Sequence, residues 1–194
     1  RRLRRVGRQP LRVCRLPRSD AEHHGQFSRA TRPVGYGPRD GKRLPEARQG
    51  NALAAKHHLT LETGHSSAAE ALMIIRDARA QGVEHVVVTH AMLAPIRMTI
   101  AQMREAAKLG AYLEFVYNGL IGAAREYSIG DYVKAIREVG PQSCILSSDM
   151  GQAANPLHTD ALLAFFAAFR KAGIAQADID RMSKTNPARA LGLP

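Results

Sequence analysis

From about residue 51 onward, short apolar runs alternate with longer amphipathic segments along the chain. Four of the runs are rich in β-branched and apolar residues and predict strands, at residues 59–63, 84–89, 111–117 and 143–148. After each run, apolar residues recur at the spacing of an amphipathic α-helix. Four consecutive strand–helix units predict parallel strands with helices on the outside.

Capping residues mark where the predicted helices begin and end. Ser67 is followed three residues later by Glu70, which is the spacing of a capping box, and Thr99 is followed in the same way by Gln102. Glycine is the residue that most often follows the last turn of a helix. These patterns predict helix starts at Ser67, Thr99, Ser128 and Thr159, and helix ends at Gly82, Gly110, Gly140 and Gly173.

The predicted fold class is α/β, and two architectures fit the order of elements. One is an open, doubly wound sheet, and the other is part of a (βα)8 TIM barrel. A complete barrel needs about 250 residues. Four strand–helix units within residues 51–194 correspond to about half of one.

The first 50 residues differ from the rest in composition. They hold 14 of the 28 Lys and Arg residues but only 4 of the 17 Asp and Glu residues, a net charge of +10 out of +11. Glycine and proline recur throughout, and no apolar period persists. We therefore predict an irregular basic segment at 1–50 and a folded domain at 51–194. The segment is either a basic arm that binds phosphates or the edge of a truncated or mis-framed reading frame.

Other features of the sequence narrow the classes of protein. The longest apolar run, residues 161–169, is far shorter than the ~20 residues of a membrane-spanning helix. Cys14 and Cys144 lie far apart, and Cys144 stands in an apolar run, which predicts a reduced, cytoplasmic protein. The sequence contains neither a Gly-x-Ser-x-Gly nucleophile motif nor a Gly-x4-Gly-Lys phosphate loop.

Residues that could carry chemistry follow the predicted strands. His65, His90 and Asp149 come within two residues of the ends of three of them, and the carboxyl ends of parallel strands form one edge of the fold. Imidazole nitrogen and carboxylate oxygen suit Zn²⁺, Mn²⁺ or Fe²⁺, so the sequence predicts a divalent-metal site, with Asp149 placed to take a proton from metal-bound water. Arg97 and His158 lie in nearby loops and are candidates for substrate binding, with a solvated loop arginine and a helix-entry histidine as the alternatives.

The same residues resemble a known family. The C-terminal half of amidohydrolase-superfamily hydrolases, and in particular a histidinol-phosphatase-like branch without an assigned function, is similar to residues 40–194. The matching motifs are Thr63-Gly64-His65, Thr89-His90, Ser148-Asp149, Asn186-Pro187-Ala188-Arg189, Leu191-Gly192-Leu193 and, further upstream, Gly41-Lys42-Arg43-Leu44-Pro45-Glu46.

The resemblance implies a TIM barrel in which His65 and His90 are the metal ligands of the fifth and sixth strands. Asp149 matches the eighth-strand aspartate, which is a metal ligand and a general base, and Glu114 on the seventh strand orients the substrate or a ligand. The expected function is metal-dependent hydrolysis of an amide, ester or phosphate ester in a small molecule.

The chain departs from this family at its start. Residues 1–40 contain no His-x-His pair of the kind that the family carries on strand one, and the bridging residue of strand four is also missing. The sequence therefore predicts a truncated chain, which pairs with a second copy or with a missing half. The alternatives are a basic-armed protein that binds nucleic acid, which the scarcity of aromatic residues in 1–50 disfavours, and a non-catalytic half-barrel that assembles with itself.

Overall fold

The computed structural model describes residues 13–15 and 45–193. Five parallel strands form one sheet, and their order in the sheet is their order in the chain. The strands are β1 (Val13–Arg15), β2 (Thr60–Glu62), β3 (Val86–Val88), β4 (Tyr112–Val116) and β5 (Cys144–Ser147). A doubly wound sheet reverses its strand order at a switch point, and these five strands have no such point. The fold is therefore part of a (βα)8 barrel.

Helices follow the strands as the pattern of apolar residues predicts. They are α1 (Pro45–Lys56), α2 (Ala68–Ala80), α3 (Ile100–Lys108), α4 (Ile129–Val139), α5 (His158–Lys171), α6 (Gln176–Asp180) and α7 (Asn186–Ala190), with a π-helical turn at Arg181–Thr185 between the last two. Each predicted strand contains one observed strand, so the four predicted strand–helix units are confirmed.

Three of the four predicted helix starts are confirmed as complete capping boxes. Ser67, Thr99 and Ser128 each accept a hydrogen bond from the backbone three residues on, and the side chain at that position reaches back to the cap. The fourth start is wrong, because α5 begins at His158 and Thr159 already lies in its first turn. Thr159 has a leucine three residues later, so it lacks the partner that the other three caps possess.

Side chains alternate between the two faces of the sheet. One face packs against the helices and forms the main core, to which β4 contributes Leu113 and Phe115. The other face carries a small apolar cluster near the amino ends of the strands, made of Val87, Ile145, Ala190 and Tyr112. The hydroxyl of Thr60 donates to the carbonyl oxygen of Ala190 and ties α7 to this end of the sheet. Polar residues, and not this cluster, occupy the carboxyl ends of the strands.

The division of the chain at residue 50 needs adjustment. Helix α1 runs across that position, and β1 lies within the predicted irregular segment and pairs with β2. The composition of residues 1–50 conceals both elements, although Pro45 at the first helical position is a start marker. The other residues of 1–44 lie outside the described residues, so the basic arm stays a prediction.

Two further observations bear on the class of protein. Within residues 45–193, no helix is long and apolar enough to span a membrane. Cys144, the first residue of β5, is a buried free cysteine, and burial raises the pKa of its thiol. The location of the protein in the cell stays a prediction.

Candidate functional site

Two histidines meet where neighbouring strands end. His65 follows β2 and His90 follows β3, and their ring centroids lie 4.6 Å apart with the ring planes tilted by 40°. His90 is only 8% exposed, and its Nδ1 is buried without a hydrogen-bond partner among the residues that the structure describes. The structure thus brings together two of the three predicted metal ligands.

Threonines before the two histidines hold the strand ends in register. The backbone N–H of Gly64 donates to Oγ1 of Thr89 at 3.1 Å, and the backbone N–H of Thr89 donates to Oγ1 of Thr63 at 3.4 Å. Both threonines are buried, so these hydrogen bonds are shielded from water. The exchange between the strand ends explains why a threonine accompanies each histidine.

Glu114 on β4 accepts a hydrogen bond from the backbone of His90. One carboxylate oxygen, Oε2, accepts a hydrogen bond from the backbone N–H of His90 at 2.9 Å, and Oε1 accepts one from the Ser147 hydroxyl at 2.7 Å. His90 has a φ of +23°, an uncommon conformation for a residue other than glycine. A protein group is thus bound to each oxygen of Glu114, and its role in orienting a substrate or a ligand stays a prediction.

Several effects act on the pKa of Glu114, and they act in opposite directions. Burial is the largest cause and raises its pKa, while the hydrogen bonds from His90 and Ser147 act in the other direction. The negative charges of Glu62 and Asp149 raise the pKa of Glu114 further. Acidic side chains from β2, β4 and the loop after β5 therefore influence one another.

Asp149 lies after β5 and is exposed to solvent. Its φ is +49°, which places a second non-glycine site residue in the left-handed region. Asn118 Nδ2 donates to Oδ2 of Asp149 at 3.1 Å, and Asn118 Oδ1 in turn accepts from Asn155 Nδ2 at 3.0 Å. Neither asparagine is predicted from the sequence to have a role. Asn118 comes two residues after β4, and this position is the feature that could have indicated one.

The donor set fits a divalent metal in part. Two imidazoles in contact, one of them with a buried nitrogen that makes no hydrogen bond within the described residues, suit two ligand positions of a Zn²⁺ ion. Over the described ranges, however, no three His, Cys, Asp or Glu side chains lie close enough together to hold a metal ion. Asp149 as the third ligand therefore stays a prediction.

The two remaining candidates lie in loops around this edge. Arg97 has its Nη2 3.1 Å from Oε2 of Glu126, and Oε1 of the same glutamate accepts a hydrogen bond from the backbone of Ala94. Its guanidinium thus links the loops after β3 and β4. His158 is exposed at the start of α5, and no hydrogen bond or ion pair joins it to the other candidates in the described part. Substrate binding by either residue stays a prediction.

Solved structures with the same fold include three hydrolases. An amidohydrolase from Pseudomonas aeruginosa has a TM-score of 0.61 at 13% identity, over 78% of this chain and 57% of that protein. An amidohydrolase from Burkholderia multivorans with bound zinc has a TM-score of 0.57 at 15% identity, over 78% of this chain and 58% of that protein. The organophosphorus hydrolase from Deinococcus radiodurans has a TM-score of 0.58 at 16% identity, over 78% of this chain and 53% of that protein. The chain spans little more than half the length of these proteins, and the similarity confirms the barrel fold.

Sequence comparison places the chain in a family. A model of a family of unknown function (DUF6282) matches residues 5–114, which is more than half of the chain and crosses the position at residue 50 where the composition changes. No curated protein sequence matches the chain.

Proposed function

We propose that this chain, which belongs to the DUF6282 family of unknown function, is a metal-dependent hydrolase of the amidohydrolase type. The observation that carries the proposal is the contact between His65 and His90 at neighbouring strand ends, with centroids 4.6 Å apart. The carboxyl end of the strands is where barrel enzymes carry their active sites. Structures of the same fold that are named amidohydrolase and organophosphorus hydrolase, one of them with bound zinc, support it.

In this proposal the two histidines bind a divalent ion, which is zinc, manganese or iron. His65 and His90 would hold such an ion, and the chemistry it would supply is a lowered pKa for a coordinated water molecule. His90 is oriented by the hydrogen bond from its backbone to Glu114, and the threonine pair keeps the two strand ends together. Further ligands come from Asp149 or from groups outside the described residues.

Asp149 is the proposed base. It is exposed, so solvent and substrate reach it, and Asn118 holds one of its oxygens. Glu114 is less suited to this task, because both of its oxygens already accept hydrogen bonds. A base at this position takes a proton from the attacking water during hydrolysis of an amide, an ester or a phosphate ester. The resemblance to the histidinol-phosphatase-like branch favours one of these substrates, a phosphate monoester.

The test is a hydrolase assay on chemically distinct probes. Protein freed of metal and reloaded with Zn²⁺, Mn²⁺ or Fe²⁺ is incubated with p-nitrophenyl acetate, p-nitrophenyl phosphate, paraoxon, γ-butyrolactone and an N-acyl amino acid. We expect metal-dependent turnover of at least one probe, and a decrease in kcat of roughly 10²–10⁴-fold in Asp149→Asn.

The control variant is Asp160→Asn, which changes an exposed aspartate in the first turn of α5 and leaves turnover as it is. Turnover that is equal in Asp149→Asn and the unmodified protein would remove Asp149 as the base. Absence of turnover with every metal and every probe would count against the hydrolase itself.

A further inference from the structure

A chain of side-chain amides ends on the carboxylate of Asp149. Asn118 Nδ2 donates to Asp149 Oδ2 at 3.1 Å, Asn155 Nδ2 donates to Asn118 Oδ1 at 3.0 Å, and the same Asn155 nitrogen donates to Gln152 Oε1 at 2.7 Å. Asn118 is 8% exposed, whereas Asp149 is exposed. The buried amide therefore contacts a carboxylate that faces solvent.

The orientation of the Asn118 amide follows from its second partner. An amide NH2 group donates and does not accept, so the contact with Asn155 Nδ2 requires the oxygen of Asn118 to face Asn155. The nitrogen of Asn118 must then face Asp149. Asn155 is itself oriented by Gln152, which takes its second N–H. The carboxylate of Asp149 only accepts hydrogen bonds and so requires the same orientation, which Asn155 therefore reinforces.

The backbone around this contact is also constrained. The N–H of Asn118 donates to the carbonyl oxygen of Ser148 at 3.1 Å, which joins the end of β4 to the residue before Asp149. Asp149 adopts a φ of +49°, a conformation that a non-glycine residue keeps when its surroundings impose it. Two hydrogen bonds from Asn118, one from its backbone and one from its side chain, supply such surroundings.

We propose that Asn118 is the positioning residue for the base, which rests on the proposed function of Asp149. Its amide fixes Oδ2 and leaves Oδ1, which has no hydrogen-bond partner within the described residues, as the oxygen that takes the proton from water. A neutral donor fixes the carboxylate without contributing a positive charge of its own. Asn155 is the second residue of this arrangement, because its hydrogen bond to Oδ1 restrains the Asn118 amide.

The test compares three variants by structure and by kinetics. Asn118→Leu removes the donor at similar volume, and Asn155→Ala leaves Asn118 in place but removes the second hydrogen bond that restrains its amide. Asn186→Leu is the matched control: it removes a buried asparagine whose Nδ2 bonds the carbonyl oxygens of Pro141 and Cys144, at the opposite end of β5. Crystal structures report the orientation of the Asp149 carboxylate, and kcat and KM are measured with p-nitrophenyl acetate and γ-butyrolactone.

We expect the Asp149 carboxylate to occupy several orientations in Asn118→Leu and Asn155→Ala, and a single one in Asn186→Leu. The kcat falls roughly tenfold to hundredfold in the first two variants with little change in KM, whereas Asn186→Leu lowers the melting temperature and keeps kcat. If Asn118→Leu does not fold, Asn155→Ala carries the test alone, because Asn155 lies in a partly exposed loop.

A single, unchanged carboxylate orientation in Asn155→Ala and in any folded Asn118→Leu overturns the proposal, and so does a kcat equal to that of Asn186→Leu. The structural result also separates this proposal from the one on which it rests. If the unmodified protein hydrolyses neither probe while Asp149 loses its orientation in the variants, the positioning by Asn118 stands and the assignment of Asp149 as a base fails.

Discussion

Glu114 is the residue on which the position of His90 depends most directly. It accepts the backbone N–H of His90, and the Ser147 hydroxyl fixes its other oxygen. Substitution Glu114→Leu leaves that N–H without its acceptor, so we expect the zinc affinity of the histidine pair to fall about 10–100-fold. Glu114→Gln should lose less, because its amide oxygen can still accept from His90.

Isothermal titration of Zn²⁺ into protein without an affinity tag measures this difference. Glu105→Leu, a partly exposed position on α3, serves as the control and should bind zinc as the unmodified protein does. Equal zinc affinity in Glu114→Leu and Glu105→Leu would show that Glu114 does not orient the ligand.

At the scale of residues, the sequence indicates the candidate metal ligands and the candidate base better than it indicates the residues that orient them. His65, His90 and Asp149 can be found because each comes within two residues of the end of a predicted strand. Thr89, Asn118 and Asn155 act through hydrogen bonds to residues 25 to 37 positions away in the chain, and no local pattern records such a pairing. The partner of Arg97, Glu126, is hidden for the same reason.

At the scale of elements, the capping boxes make a direct prediction about stability. Ser67→Ala and Thr99→Ala each remove the side chain that satisfies a free backbone N–H at a helix start, so each should lower the free energy of unfolding by about 0.5–2 kcal/mol. Thr159→Ala, inside α5, removes no cap and should cost less. Urea denaturation of the three variants measures the difference. A cost for Thr159→Ala equal to that of the other two would contradict the assigned start of α5.

The cap of α4 makes stability depend on pH. Hydrogen bonds from the Ser128 hydroxyl and backbone lower the pKa of Asp131 below its usual value. Because the folded pKa is the lower one, the contribution of Asp131 is present above the pKa of an unfolded aspartate, about 3.9. It is lost as the pH falls through the folded value. The free energies of unfolding of Asp131→Asn and the unmodified protein should differ at pH 7, and the difference should shrink as the pH falls below about 3.9; a constant difference would contradict this.

Periodicity and caps predict β2 to β5 and the helices between them, because each of these elements carries its own local pattern. Thr159 fails as a cap since its partner position holds a leucine. Strand β1 and the start of helix α1 are missed because basic residues, glycine and proline dominate the composition around them. In β1, only pairing with β2 reveals a strand of three residues.

For the whole molecule, the rate at which the Cys144 thiol reacts measures how readily β5 separates from the rest of the fold. Its side chain is fully buried at the start of β5, and burial raises the pKa of the thiol, so both access and thiolate formation oppose reaction. In a Cys14→Ser background, a thiol reagent such as DTNB should label the native protein at least about 10³-fold more slowly than the urea-unfolded chain. Rapid labelling under native conditions would indicate that β5 opens without global unfolding.

The order of strands is the property of the whole molecule that local patterns leave undecided. Strand–helix repeats fit both an open sheet and a barrel, and the consecutive order β1 to β5 decides for the barrel. The similar solved structures are longer, and this chain covers 53–58% of three of them. Assembly with a second copy stays a prediction, which sedimentation of the purified chain would test.

The most direct test of the central claim is zinc binding by the histidine pair. Protein without an affinity tag is freed of metal, and its affinity for Zn²⁺ is compared with that of His65→Ala, His90→Ala and the control His57→Ala, an exposed histidine after α1. We expect about one zinc ion per chain in the unmodified protein and in His57→Ala. In His65→Ala and His90→Ala, we expect the affinity to fall at least about tenfold. Unchanged zinc affinity in both of these variants would contradict the metal site and, with it, the proposed hydrolase.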